Sequence, residues 1–309
     1  MVMGQNNTIM KINEMPAKTW YRLNLNEVKL PWTEGGEQKT VKTDGEESPV
    51  FLTLSGTDYE KKIIEINAGE GEEKVICMNY GEFAHLKVEI QIQVADNACV
   101  KLIQLFRTKK DSVLINRIRA DVAKKGTFSL YQMAPESGDL YLETLAELTG
   151  ESSSFTADVG YLAGGRGQLD INMVVNHYGA GSQSKIRADG ALKEEAVKTF
   201  RGTIDFKQGS ANAAGEETET VLMLGEKAEN RTIPVILCRE ETVSGSHGAT
   251  IGELDEDTLF YFESRGIGRK EAEEILSEAA IRRIAGIVAT DETKEWLREG
   301  LKEENEEWM

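Results

Sequence analysis

Along most of this chain, apolar and polar residues alternate one by one. Leu86, Val88, Ile90, Ile92 and Val94 are interleaved with Lys87, Glu89, Gln91 and Gln93, a period of two that predicts a β-strand with one dry and one wet face. Similar strands are predicted at 100–106, 113–120, 127–133, 140–148, 154–162, 168–177, 182–191, 198–206 and 220–224, separated by Gly, Asp, Asn and Ser. No amphipathic helix intervenes, so the pattern argues for an all-β core, either a sandwich or a solenoid, rather than alternating β and α units. The dipeptides that favour two-residue hairpins are scarce, Asp189-Gly190 being one candidate. Solenoid corners account for that scarcity, although no strict repeat period is visible.

After Gly252 the period becomes helical. Asp255 is positioned to cap a short helix that runs through Phe262 and ends near Gly266. A second helix is predicted over 269–288, with Ala272, Ile275, Leu276, Ala279, Ala280, Ile284, Ile287 and Val288 on one face. A third starts at Thr290 or Asp291 and carries Trp296, Leu297 and Leu301. Near the other end, the polar, glycine-rich stretch 34–48 reads as an exposed loop. The expected organisation is an N-terminal segment over 1–60, a β core over 61–250 and a C-terminal helical unit over 251–309.

Composition narrows the function. With 309 residues, 40% of them hydrophobic and 29% charged, the chain is an ordinary globular one of one large or two smaller domains. Its formal charge of -17 argues against capture of nucleic acid or an anionic membrane, which require a basic surface. Residues 252–309 hold 17 acidic and 8 basic side chains, which suits a solvated helical face or an acidic docking surface. The first eighteen residues lack the pattern of a secretory signal and no run is long and apolar enough to span a membrane, so a cytoplasmic protein is expected. The three cysteines, Cys77, Cys99 and Cys238, fit free thiols in a reducing compartment, and no Cys-x-x-Cys offers local ligands for zinc or a cluster.

Several enzymatic signatures are missing. There is no phosphate loop of the Gly-x-x-x-x-Gly-Lys-Ser/Thr type, so no nucleotide is expected on this chain. Neither a His-Glu-x-x-His zinc site nor a Gly-x-Ser-x-Gly elbow is found. Gly164-Gly165-Arg166-Gly167 lies between two strands and reads as a turn. Of the three histidines, His85 and His177 read as surface or satisfied core residues. His247 differs, because Gly245 and Gly248 leave its imidazole unshielded. Cys238, after Pro234 and the apolar Val235, Ile236 and Leu237, reads by default as a buried structural thiol. The alternative is a thiolate and an imidazole facing one site, both competent iron ligands.

The run Ser246-His247-Gly248-Ala249-Thr250-Ile251-Gly252, followed by Leu254-Asp255 and by Leu259-Phe260-Tyr261-Phe262-Glu263-Ser264-Arg265-Gly266-Ile267, resembles the C-terminal signature of the SufB/SufD family of iron-sulfur cluster assembly proteins, nearest its SufD branch. Phe200-Arg201-Gly202-Thr203-Ile204, Pro234, and Pro16, Thr19-Trp20 and Leu23 to Leu30 near the start resemble further family positions. The resemblance extends over 10–290 and is strongest over 198–286.

The resemblance implies a right-handed parallel β-helix flanked by terminal helical segments that pack together. It implies a non-enzymatic scaffold that docks an ABC-type ATPase, SufC, through its C-terminal helical region, where Leu259, Phe260, Tyr261, Arg265 and Gly266 are the candidate contacts. It also implies a pair of core subunits with a transient iron-sulfur cluster assembling between them. His247 matches a histidine of the SufD branch and is the candidate ligand. Gly245 stands where SufD-type chains often carry cysteine, and Glu219 stands at the position of the functional cysteine of SufB. A glutamate binds iron but cannot accept persulfide sulfur, which leaves Cys238 as the nearest thiol. The compact length suits a homodimer that presents two copies of His247, and a heterodimer with a SufB-like chain stays open. Two rivals are a β-helix enzyme acting on carbohydrate, which the fold alone permits, and an ATPase regulator that never touches iron.

Overall fold

A computed structural model describes residues 7–301 except 19, 34, 35, 44, 108 and 137. Thr19 and Glu34, used above in reading the N-terminal segment, lie outside the described residues. The chain opens with an antiparallel pair, β1 (Asn7–Ile12) and β2 (Val28–Thr33). The strands that follow are β3 (Gln38–Lys42), β4 (Val50–Leu54), β5 (Glu60–Ala68), β6 (Glu73–Tyr80), β7 (His85–Val94), β8 (Cys99–Arg107), β9 (Val113–Val122) and β10 (Thr127–Glu136). They continue as β11 (Asp139–Leu148), β12 (Ser154–Ala163), β13 (Gln168–His177), β14 (Gln183–Leu192), β15 (Val197–Phe206), β16 (Ala214–Met223), β17 (Glu229–Cys238) and β18 (Ser244–Gly252). Three helices close the chain: α1 (Glu256–Glu263), α2 (Arg269–Val288) and α3 (Lys294–Leu301).

From β3 onward, odd and even strands segregate into two parallel eight-stranded sheets, each strand pairing with the next strand but one. The product is a β-solenoid of about seven turns, its successive turns stacking strand on strand within each sheet. The corner leading from an odd to an even strand repeats one device. Gly71, Asn97, Lys125, Ser152, Gly181 and Asn212 all have positive φ, and each donates its backbone N–H to the corner of the following turn, from Gly71 to Asp96 at 3.0 Å through Asn212 to Thr242 at 2.8 Å. These corners are not hairpins, which explains why the hairpin dipeptides are scarce. The repeat also drifts: Glu60 stands opposite Leu86 in β5 and β7, whereas Val197 stands opposite Glu229 in β15 and β17. The turn therefore grows from 26 to 32 residues, and no fixed period is legible in the sequence.

One side of each strand packs into an interior of Ile, Val, Leu and Phe running from Val50 to Val221. Polar groups inside it find one another: Tyr80 donates to Asn116 at 2.9 Å, and Gln104 bonds Tyr80 at 2.8 Å and Asn116 at 3.1 Å. The middle strands are also apolar on their outer sides, and the two termini cover them. Ile12 and Trp32 of the β1–β2 pair pack on Ile115 and Tyr141 of the odd sheet. On the even sheet, Ile281, Ile284, Ala285, Val288 and Leu297 cover Cys77, Ile103, Leu105 and Met133.

Two expectations are corrected. The stretch 34–48 contains β3, an end strand of the odd sheet paired with β5; it looks like a loop because nearly all of it faces water. The described N-terminal segment is a β-ribbon rather than a helix, and it lies on the sheet opposite to the one that carries the C-terminal helices. The terminal segments do not form the helical pair that the resemblance implied, because each outer sheet face needs its own apolar cover. Among the described residues no helix is long and apolar enough to cross a membrane.

Candidate functional site

The interior changes character at β15. Lys198, Phe200, Gly202, Ile204 and Phe206 face inward on that strand, and Gly215, Glu217, Glu219 and Val221 face inward on β16. Lys198 is fully buried. It pairs with Glu219 and donates to Asn230 Oδ1 at 2.9 Å, with its ammonium 5.7 Å from the Tyr161 ring and 5.4 Å from the Phe200 ring. Thr232 donates to Glu219 Oε2 at 2.6 Å, and Asn230 donates to Thr232 at 3.1 Å. Glu219 is thus held by a ring of polar partners.

Glu217 is not. It is 3% exposed and its carboxylate crosses the interior to lie against Gly202, where a Cβ would fall 1.8 Å from Oε2. A side chain at position 202 would collide with it. Burial pulls the Lys198 ammonium down to about 7 against the attraction of Glu217, and burial pushes the Glu217 carboxyl up to about 7 against Lys198.

Above this layer lies the last turn, β17 and β18, the end strands of their sheets. All of β18 is exposed, because nothing stacks on it. A Cβ at Gly245 would meet Phe206 and Ile236 at 3.0 and 3.2 Å, so position 245 faces inward, and His247 shares that face. In the ladder His247 pairs with Glu217, while Glu219 pairs with Ala249.

Cys238 also faces inward, in register with Phe206, but it is exposed. The reading of a buried thiol is therefore corrected: β17 ends its sheet, and no further turn covers the sulfur, whose S–H donates to Glu240 O at 3.0 Å. Gly245 lies against Ile236, and Thr232, four residues earlier than Ile236, bonds Glu219, the neighbour of Ala249 in the ladder. The facing strands therefore run in opposite directions. His247 and Cys238 diverge from the Gly245–Ile236 contact by two residues each, roughly 13 Å along the strands. Of the three residues expected at one iron site, His247 and Cys238 share the open end without meeting, and Glu219 is buried and engaged. Among the described residues no group of three His, Cys, Asp or Glu is arranged to hold a metal ion.

The other histidines are satisfied. His177 is buried between Ser182 and Ser184, each 2.8 Å from a ring nitrogen, and burial lowers its pKa to about 4. His85 stacks on Tyr59 with ring centroids 4.3 Å apart and meets Asp58 at 2.7 Å.

At the same end, α1 is capped by Asp255, which accepts from Thr258 N at 2.7 Å. Leu259 is buried, whereas Phe260 and Tyr261 are 71% and 54% exposed. The Arg265 guanidinium lies 3.6 Å from the Tyr261 ring centroid, and Gly266 ends the turn at φ 81°. The five candidate contacts thus divide into one anchor, an exposed aromatic-arginine surface and a turn.

Sequence reasoning missed Lys198 and Glu217. The available signal was parity, since Glu217 and Glu219 alternate in step with Val221. The predicted strand begins only at Thr220, six residues after β16 does, so both glutamates fall outside it.

Residues 56–280 match the family described as SUF system FeS cluster assembly, SufBD core domain. The chain is 33% identical over 141 residues to the iron-sulfur cluster assembly protein SufD of Bacillus subtilis, which covers 45% of this chain and 32% of that protein. Against SufD of Escherichia coli it is 26% identical over 161 residues, 52% of this chain and 36% of the relative. Against SufB of Bacillus subtilis it is 28% identical over 113 residues, 36% and 24% respectively. The chain thus matches about a third of the length of the SufD relatives. With the family match covering well over half of the residues, this β-solenoid belongs to the SufB/SufD family of SUF-system iron-sulfur cluster assembly proteins.

Proposed function

We propose that this chain is a scaffold on which a SUF-type complex builds iron-sulfur clusters, with the open end of the solenoid as the docking face for a second core subunit. The observation that carries this reading is the uncovered last turn. β18 offers an unpaired strand edge, a row of small residues and one imidazole, all exposed, and such an edge normally requires a partner or a cover. Among the described residues, a single chain brings no group of three ligands together that could hold a cluster by itself. Two copies about a two-fold axis bring two His247 side chains and two Cys238 thiols to one interface, which supports a homodimer; a SufB-like partner chain would bring its own thiol. The cluster is cargo, held while it forms and then passed on.

ATP hydrolysis falls to an ABC-type ATPase of the SufC kind. Exposed Phe260 and Tyr261, beside Arg265 on α1, support docking there: aromatic and arginine side chains are the usual anchors of protein interfaces. Two measurements test the reading. The purified chain is expected to elute with such an ATPase at a mass of two plus two, and to acquire the visible absorption of an iron-sulfur cluster on anaerobic reconstitution. His247→Ala is expected to lose the absorption and keep the ATPase, while Phe260→Ala with Tyr261→Ala loses the ATPase. Full cluster content in His247→Ala sinks the ligand role, and full co-elution of the α1 variant sinks the docking role.

A further inference from the structure

Among the described residues, one carboxylate inside the solenoid has no partner group of its own, and it pairs with His247 in the ladder. Glu217 is 3% exposed, and among the described residues it has neither a hydrogen bond nor an ion pair, although it feels the charge of Lys198. A buried carboxylate without a partner is costly and calls for an explanation. Lys198, the buried cation of this layer, is already bonded to Glu219 and to Asn230. The layer therefore holds two carboxylates against one ammonium. Gly202, opposite, clears the space that the Glu217 side chain occupies.

We infer that Glu217 and His247 together form a seat for a divalent cation between the last two turns of the solenoid. The inference rests on the reading of His247 as a ligand and names its companion. In a parallel ladder, paired residues point to the same side on strands about 4.8 Å apart. That separation lets a carboxylate oxygen below and an imidazole nitrogen above reach one ion, each at about 2.1 Å. A mixed oxygen and nitrogen donor set suits ferrous iron and its first-row neighbours. The ion would supply the positive charge that Glu217 lacks, and its remaining coordination positions face the open end, where sulfide or a second copy can reach them. Glu219, two residues further along the same strand, is excluded from this role by its own partners.

The test uses the full chain titrated anaerobically with ferrous iron in competition with a chromophoric chelator, and separately with cobalt, whose visible spectrum reports its ligands. Glu217→Gln and His247→Ala are each expected to weaken iron binding tenfold or more. The double variant is expected to fall well short of the product of the two losses, because either change destroys the same seat. Glu217→Gln is also expected to alter the cobalt spectrum. Glu217→Met is the second variant, since an apolar side chain of similar volume replaces an unpaired buried charge without destabilising the turn, and it too is expected to lose iron. Wild-type affinity in both Glu217 variants alongside loss in His247→Ala overturns the inference and leaves the His247 reading intact. Wild-type affinity in His247→Ala overturns both.

Discussion

Lys198 and His177 show how differently this interior treats titratable groups. Lys198 is buried among Glu219, Asn230 and two aromatic rings, and removing one partner of a buried pair leaves the other charge uncompensated. Lys198→Met is expected to lower unfolding stability by about 3 kcal/mol or more in urea titration, and Lys198→Met with Glu219→Met to recover most of that loss. A full loss in the double variant would show that the pair is not the cause. Among the described residues His177 carries no ion pair, and burial keeps it neutral, its pKa lowered from 6.5 to about 4. Between these values the unfolded chain binds more protons than the native one, so stability rises with pH from about 4 to 6.5 and is lost as pH falls through that window. His177→Asn is expected to flatten that slope by up to roughly 3 kcal/mol across the window. A parallel offset at every pH would assign the slope to other groups.

At the scale of elements, the contact between α2 and the even sheet is set by a glycine. A Cβ at Gly160 would lie 3.0 Å from the Ala280 carbonyl carbon and from Ile284 Cδ1, so the helix approaches β12 as closely as it does only because position 160 has no side chain. Arg283 reinforces the contact with a bidentate pair to Asp158 at 2.6 and 2.7 Å. Cys77 belongs to the apolar cluster that these helices cover, and burial pushes its thiol up to about 12. Gly160→Val is expected to lift α2 and raise the labelling rate of Cys77 by a thiol reagent at least tenfold, with the far-ultraviolet strand signal unchanged. Wild-type protection of Cys77 in that variant would mean that the glycine does not control the docking.

For the whole molecule, the contrast between the covered sheet faces and the uncovered C-terminal end matters most. Both outer sheet faces are covered, by the β1–β2 pair and by the C-terminal helices, whereas the C-terminal end is left open with Ile251 half exposed. On the proposed reading that end is the subunit interface. Ala249→Asp with Ile251→Asp adds charges at exposed, inward-facing positions of the last turn, where like charges would meet across the two-fold axis; an unchanged melting temperature is the check that the fold survives. Sedimentation is expected to shift from two copies to one. A dimer of unchanged affinity would move the interface elsewhere.

Local patterns carried much of this protein's description. Strand alternation, the bounds of α2 and the Asp255 cap were legible because each depends on neighbours within a few residues, and the family signature was legible because it is contiguous. The tertiary structure decided which residues stack. Glu217 and His247 are thirty residues apart in the chain, and only the ladder between β16 and β18 makes them neighbours. Lys198 and Glu219, on strands of opposite sheets, meet only across the interior. The exposure of Cys238, too, follows from β17 being the last strand of its sheet rather than from its own apolar surroundings. The physical reason is that corner lengths set the stacking register of a solenoid, and here the turn lengthens from 26 to 32 residues, so no local period in the sequence encodes which side chains share a layer.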